Sequence, residues 1–120
     1  MQPYRSIDPA TLFHATGDDR DIFRTLSQIY LDTAPAMYAK VELAVRAGSP
    51  PAIVHSCHTL RGTVALLGAR TLASRLAELE VLARHHGTVP PDWLDGTASE
   101  LALIEAEVRR SMIEYPDAQP

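Results

Sequence analysis

A single cysteine, Cys57, in 120 residues leaves no partner for an intramolecular disulfide and excludes a cysteine-rich zinc module. No apolar run approaches the roughly 20 residues that a membrane-spanning helix needs. The opening residues, Met1-Gln2-Pro3-Tyr4-Arg5, contain no apolar signal core. Basic residues are in the minority, 11 against 15 acids, so the net charge of −4 speaks against a large nucleic-acid footprint. There is no Asn-Gly turn and no run of alternating β-branched residues, hence no strand signal. Internal repeats and low-complexity segments are absent too. What remains is ordinary: 46% hydrophobic and 22% charged residues, the profile of a soluble globular domain rather than a disordered or collagen-like chain. The length suits one domain with one core. The expectation is a reduced, cytoplasmic, monomeric protein that binds neither membrane nor nucleic acid.

Gly and Pro divide the chain into helical pieces. Asp8 can cap a short helix that has Pro9 in its first position, with Gly17 after its end. Asp18 and Asp19 open a long segment, since acids favour a helix N-terminus. Its apolar positions Ile22, Phe23, Leu26, Ile29, Tyr30, Thr33, Met37, Val41 and Ala44 form one broad stripe. The stripe continues across Pro35, which favours a kinked helix over two shorter ones. Gly48 is the expected stop. Ser49-Pro50-Pro51 offers a cap and a first-turn proline for the next helix, lined by Ile53, Cys57, Leu60, Val64 and Leu67. Leu72, Leu76, Leu79 and Ala83 line a further helix that stops at Gly87. Pro90-Pro91-Asp92 opens the last, lined by Leu94, Thr97, Leu101, Ile104, Val108 and Met112. Pro116 ends it, and Asp117 to Pro120 reads as a frayed tail. Short loops between long helices imply antiparallel neighbours. The expected fold is therefore all-α, an antiparallel up-down four-helix bundle with a short additional N-terminal helix. Residues 1–17 form the N-terminal segment, 18–115 the bundle and 116–120 the tail.

The helix from Pro50 to Leu67 carries the chemistry. At about 100° per residue its core stripe is narrow, and His58 lies roughly 140° from the stripe's centre. His58 therefore faces water. Gly62 lies nearly opposite the core with His55 beside it, and Ala65 and Leu66 flank the same face. A mid-helix glycine costs about 1 kcal/mol relative to alanine, and its use here implies that something approaches the backbone closely. Arg61, three residues after His58, is within reach of it. An open imidazole with a cation beside it and free space next to it suits a ring that receives a phosphoryl group from a docked partner. The apolar Ala65 and Leu66 suit the docking itself.

The string His58-Thr59-Leu60-Arg61-Gly62-Thr63-Val64-Ala65-Leu66-Leu67-Gly68-Ala69, followed by Leu72-Ala73 and Leu79-Glu80, resembles histidine-containing phosphotransfer (HPt) domains, whose motif is roughly H-x-L-K-G-S-x-x-x-L-G-A. The resemblance spans roughly Ile7 to Met112. It implies that His58 is the phosphoacceptor and that Arg61, in the place of the usual lysine, is the phosphate-side cation. Docking is expected through His55, Gly62, Ala65 and Leu66, which share the open face beside His58. The resemblance further implies that response-regulator receiver domains, and a hybrid sensor histidine kinase, are the partners. The protein would then need no cofactor of its own, because the receiver supplies the aspartate and the divalent metal, and it would be a carrier without ATP binding or autokinase activity.

Three rivals are weaker. A histidine-kinase dimerisation helix has an acid directly after its histidine, whereas Thr59 follows His58. A small metal-binding bundle would draw on His55, His58 and Cys57, but Cys57 belongs to the core stripe, away from the histidines. A bundle that binds receivers without turning over phosphate needs no open imidazole, so the combination of His58, Arg61 and Gly62 speaks against it. His85 and His86, in a last helical turn, complement the helix dipole. Trp93 reads as a packing residue, and Val81 and Leu103 as isolated exposed apolar residues.

Overall fold

The structure is a computed structural model that describes residues 3–87, 89–90 and 92–116. Among these it has five helices and no strand: α1 Pro9–Ala15, α2 Arg20–Ala47, α3 Pro50–Leu66, α4 Arg70–His86 and α5 Trp93–Glu114. Helix α3 packs on α2 and α4, α5 packs on α2 and α4, and α1 touches α2 and α3. The molecule measures 53 × 24 × 20 Å, long because the 28-residue α2 runs unbroken through Pro35. The expected tail, residues 117–120, and Pro91 lie outside the described residues.

The helix ends follow local chemistry. The Asp8 side chain accepts a hydrogen bond from the Ala10 N–H, and that of Asp19 from the Ile22 N–H. Gly48 and Gly87 close α2 and α4 in the left-handed conformation. Ser49 departs from expectation: its side chain makes no capping bond. The reason is that prolines occupy the first two positions of α3, so one of the N–H groups that a cap would serve does not exist.

The core stripes of α3 and α4 lie where the periodicity places them. Ile53, Cys57, Leu60, Val64 and Leu67, with Leu72, Leu76, Leu79 and Ala83, are all buried. In α5, Thr97, Ile104 and Val108 are buried, while Leu94, Leu101 and Met112 are partly so. Helix α2 requires a correction. Phe23, Tyr30, Val41 and Ala44 are buried, but Ile22, Leu26, Ile29 and Thr33 are exposed. The buried row runs instead through Phe23, Ser27, Tyr30, Leu31 and Ala34. The nine-residue stripe was wide enough to hold two rows, and the small Ser27 and Ala34 occupy the row that the other helices cover.

The N-terminal segment is tied both to α5 and to the α3–α4 turn. The Glu107 carboxylate on α5 accepts hydrogen bonds from the backbone N–H groups of Arg5, Ser6 and Ile7 at 2.9–3.2 Å. The Asp8 N–H donates to the carbonyl of Leu67 at 3.0 Å, laying the start of α1 on the α3–α4 turn. Gly68 sits in that turn at φ +71°, and a Cβ there would lie 2.6 Å from the Asp8 Cβ and 2.9 Å from Asp8 backbone atoms. Gly48, at φ +64°, has nothing within 4 Å of such a Cβ. Gly48→Ala is therefore expected to cost only the left-handed penalty, about 1–2 kcal/mol. Gly68→Ala should cost clearly more and release the N-terminal segment, seen as a lower melting temperature and faster proteolysis before Pro9. Equal losses for the two variants would contradict the close contact.

Candidate functional site

Because Cys57, Leu60 and Val64 point inward, the opposite side of α3 is open. The His58 side chain is 70% exposed, and His55, Gly62, Ala65 and Leu66 share that exposed side. A Cβ on Gly62 would meet nothing within 4 Å. Leu66 is 57% exposed, so it does not fold onto a neighbouring helix. Beside His58 a hollow opens between the start of α3 and the end of α4, with Pro51, Val54, His55 and Arg84 among its walls.

Arg61 lies where expected, one Nη2 atom 3.0 Å from His58 Nδ1. Its guanidinium also grips Glu80 of α4, Nε to Oε2 at 2.8 Å. The Glu80 side chain is only 3% exposed, and its Oε1 lies 3.7 Å from His58 Nδ1 and 3.9 Å from an Arg84 Nη atom. The site is thus a small network in which one buried carboxylate, flanked by two arginines, faces the inner nitrogen of an exposed imidazole. A buried carboxylate is tolerable only when paired, and here Arg61 pairs with it.

Periodicity alone did not reveal the role of Glu80, although the signal was present. At about 100° per residue Glu80 falls roughly 70° from the centre of the stripe formed by Leu72, Leu76, Leu79 and Ala83, on its flank. A buried charge on the flank of an apolar stripe needs a partner, and Arg61 on α3 is that partner.

Cys57 does not join the site. It is fully buried, whereas His55 and His58 face solvent, so the three do not converge. Among the described residues no group of three or more His, Cys, Asp and Glu side chains is placed to hold a metal ion. Burial pushes the Cys57 thiol up to about 12 from an ordinary 9.0, and the Glu80 carboxylate adds to the rise. Burial likewise raises the Tyr30 phenol from 10.0 to about 12, with Glu105 adding to it. Both groups resist ionisation more in the folded chain than in the unfolded one. The stability they protect is complete below pH 9 and declines as pH climbs from about 9 towards 12. The Cys57 thiol is accordingly expected to resist alkylation by iodoacetamide at mildly alkaline pH until the protein is unfolded. Rapid alkylation of the folded protein would contradict that burial.

The remaining singled-out residues take structural places. His85 and His86 lie in the last turn of α4, and Trp93 is buried at the start of α5. Val81 and Leu103 are exposed.

Five helices, one of which presents a histidine to solvent over an inward-facing ion pair, make an all-helical domain of the phosphotransfer type. The sequence matches the Hpt domain family over residues 25–111, and the chain belongs to that family. It is a histidine phosphotransfer domain of two-component phosphorelays. The crystal structure of histidine-containing phosphotransfer protein B (HptB) from Pseudomonas aeruginosa PAO1 is similar in fold, with a TM-score of 0.79 at 20% identity, covering 94% of this chain and 99% of that one. No curated protein matches the sequence. Among the described residues no helix is long and apolar enough to cross a membrane.

Proposed function

We propose that His58 accepts a phosphoryl group from a receiver-domain aspartate and passes it to another receiver. The observation that carries this reading is the His58 imidazole, 70% exposed, with its inner nitrogen turned to the Arg61–Glu80 pair. The outer nitrogen, Nε2, is then the nucleophile. Its lone pair attacks phosphorus, the P–O bond of the aspartyl phosphate breaks, and the aspartate leaves as a carboxylate. In-line transfer of this kind depends on positioning and on neutralising charge.

Nε2 has a free lone pair only in the tautomer that carries its proton on Nδ1. In that tautomer Nδ1–H needs an acceptor. Glu80 Oε1, at 3.7 Å, is within a sub-ångström approach of hydrogen-bond distance. When Nδ1 is unprotonated, Arg61 donates to it instead. Arg61 and Glu80 thus serve the two states of one nitrogen, and Arg61 is the cation nearest an incoming phosphoryl group. The divalent metal belongs to the receiver, and His55, Gly62, Ala65 and Leu66 form the docking surface. The reading includes a monomeric cytoplasmic carrier with no ATP binding or autokinase activity. It also includes an up-down antiparallel arrangement of α2 to α5 with α1 as the additional helix, which their mutual packing and short connections support.

The test is incubation with a receiver carrying labelled aspartyl phosphate. Label should move to this chain. A complex that forms while all label stays on the receiver would favour the non-catalytic binding module instead.

Gly62 separates stability from docking. With open space around it, Gly62→Ala should stabilise the helix by up to about 1 kcal/mol. Gly62→Gln should likewise fold normally, yet it places a long side chain one turn beyond His58. Single-turnover transfer should slow markedly while the melting curve stays intact. Transfer at the wild-type rate would remove the reason for reading Gly62 as functional.

A further inference from the structure

Two arginines flank the buried Glu80 carboxylate, and they hold it differently. Arg61 meets it at hydrogen-bond distance, Nε to Oε2 at 2.8 Å, with an Nη2 atom 3.5 Å from Oε1. Arg84, one turn beyond Glu80 on α4, comes only to 3.9 Å from Oε1, outside hydrogen-bond range. Its side chain is 56% exposed, against 37% for Arg61. Among the described residues Arg84 has no other ion-pair partner and none of its N–H groups is committed to a hydrogen bond. One carboxylate neutralises one guanidinium. Arg61 takes that pairing, so the charge of Arg84 is left over.

The surplus charge stands beside the reacting ring. Arg84 and His58 approach the same oxygen, Glu80 Oε1, at 3.9 and 3.7 Å, and both line the hollow between the start of α3 and the end of α4. The other walls are Pro50, Pro51, Val54, His55 and Ala83, so among the described residues no acid competes for the guanidinium there. A guanidinium presents five N–H donors in a planar fork that matches the oxygens of a phosphoryl group. A phosphoryl group on Nε2 brings new negative charge to a place where one loosely held arginine is free to turn towards it.

Building on the reading of His58 as the phosphoacceptor, we propose that Arg84 is a second phosphate-side cation. Arg61 stays on Glu80, while Arg84 turns from Glu80 to the phosphoryl oxygens. Arg84 thereby sets how far the transfer equilibrium lies towards this chain. The test is the ratio of phosphohistidine to aspartyl phosphate once a labelled receiver and this chain have equilibrated. An equilibrium ratio is not moved by a change in docking speed. In Arg84→Gln it should fall roughly two- to fivefold, the value of one exposed ion pair. The variant should melt as the wild type does, because Arg61 still pairs with Glu80. Arg84→Lys should restore most of the ratio, and added salt should narrow the gap between wild type and Arg84→Gln, since exposed charges are screened. An unchanged ratio in a folded Arg84→Gln protein would overturn the proposal. So would a loss that Arg84→Lys does not reverse, or one that high salt leaves undiminished. A wild-type chain that takes no label on His58 would overturn the phosphoacceptor reading, and this proposal with it.

Discussion

His58→Gln is expected to take up no phosphoryl group from a phosphorylated receiver while remaining folded. Glutamine offers no ring nitrogen with a lone pair able to form the P–N bond, so acceptance should vanish rather than slow. Stability should barely change. The His58 side chain is 70% exposed and its nearest partners, Arg61 and Glu80, keep each other. Substitutions at such surface sites stay within about 0.5 kcal/mol, roughly 2–3 °C in melting temperature for a domain of this size. Label uptake and a melting curve on the same preparation check both halves. Uptake by the variant would show that another residue accepts the group, and an unfolded variant would place His58 in the core.

Leu60→Ala is expected to do the reverse. Leu60 is fully buried, on the opposite side of α3 from His58. Removing its side-chain volume from a packed core costs about 2–5 kcal/mol, a large part of the 5–15 kcal/mol that holds a typical domain together. The melting temperature should fall by on the order of 10–20 °C. At a temperature where the variant is still folded, transfer through His58 should persist, because the network of Arg61 and Glu80 does not use Leu60. An unchanged melting temperature would mean that the buried face of α3 is wrongly assigned.

The contrast between His58 and Leu60, on opposite sides of one helix, was legible in the sequence for a physical reason. Helix α3 has a narrow apolar stripe, so the positions of Ile53, Cys57, Leu60 and Val64 also fix the outward direction of His58, Gly62 and Leu66. Helix α2 was harder because its stripe is broad. Periodicity did not separate the buried Phe23, Ser27 and Tyr30 from the exposed Ile22, Leu26 and Ile29, since that choice is made by which neighbours cover each row. The expectation that Arg61 stands beside His58 rested on spacing within one helix, where geometry is fixed by the helix itself. Its pairing with Glu80 spans 19 residues and two helices, and periodicity does not encode such a contact directly. The clasp of Glu107 on the backbone of Arg5 to Ile7 is invisible for the same reason, joining residues about 100 positions apart. Ser49 shows the limit of residue-type rules, because the prolines after it remove part of the reason for a side-chain cap.

The most direct measurement is the position of the phosphoryl group after transfer from a labelled receiver. Phosphorus and proton NMR on the transferred product, with acid and base lability measured beside it, identifies both residue and atom. The expected result is one phosphoryl group, lost in acid and retained in base, bonded to Nε2 of His58. A phosphoryl group on His55, His85 or His86, or on Nδ1 of His58, would contradict the role given to this side chain, as would an intact complex with a phosphorylated receiver from which no group is transferred.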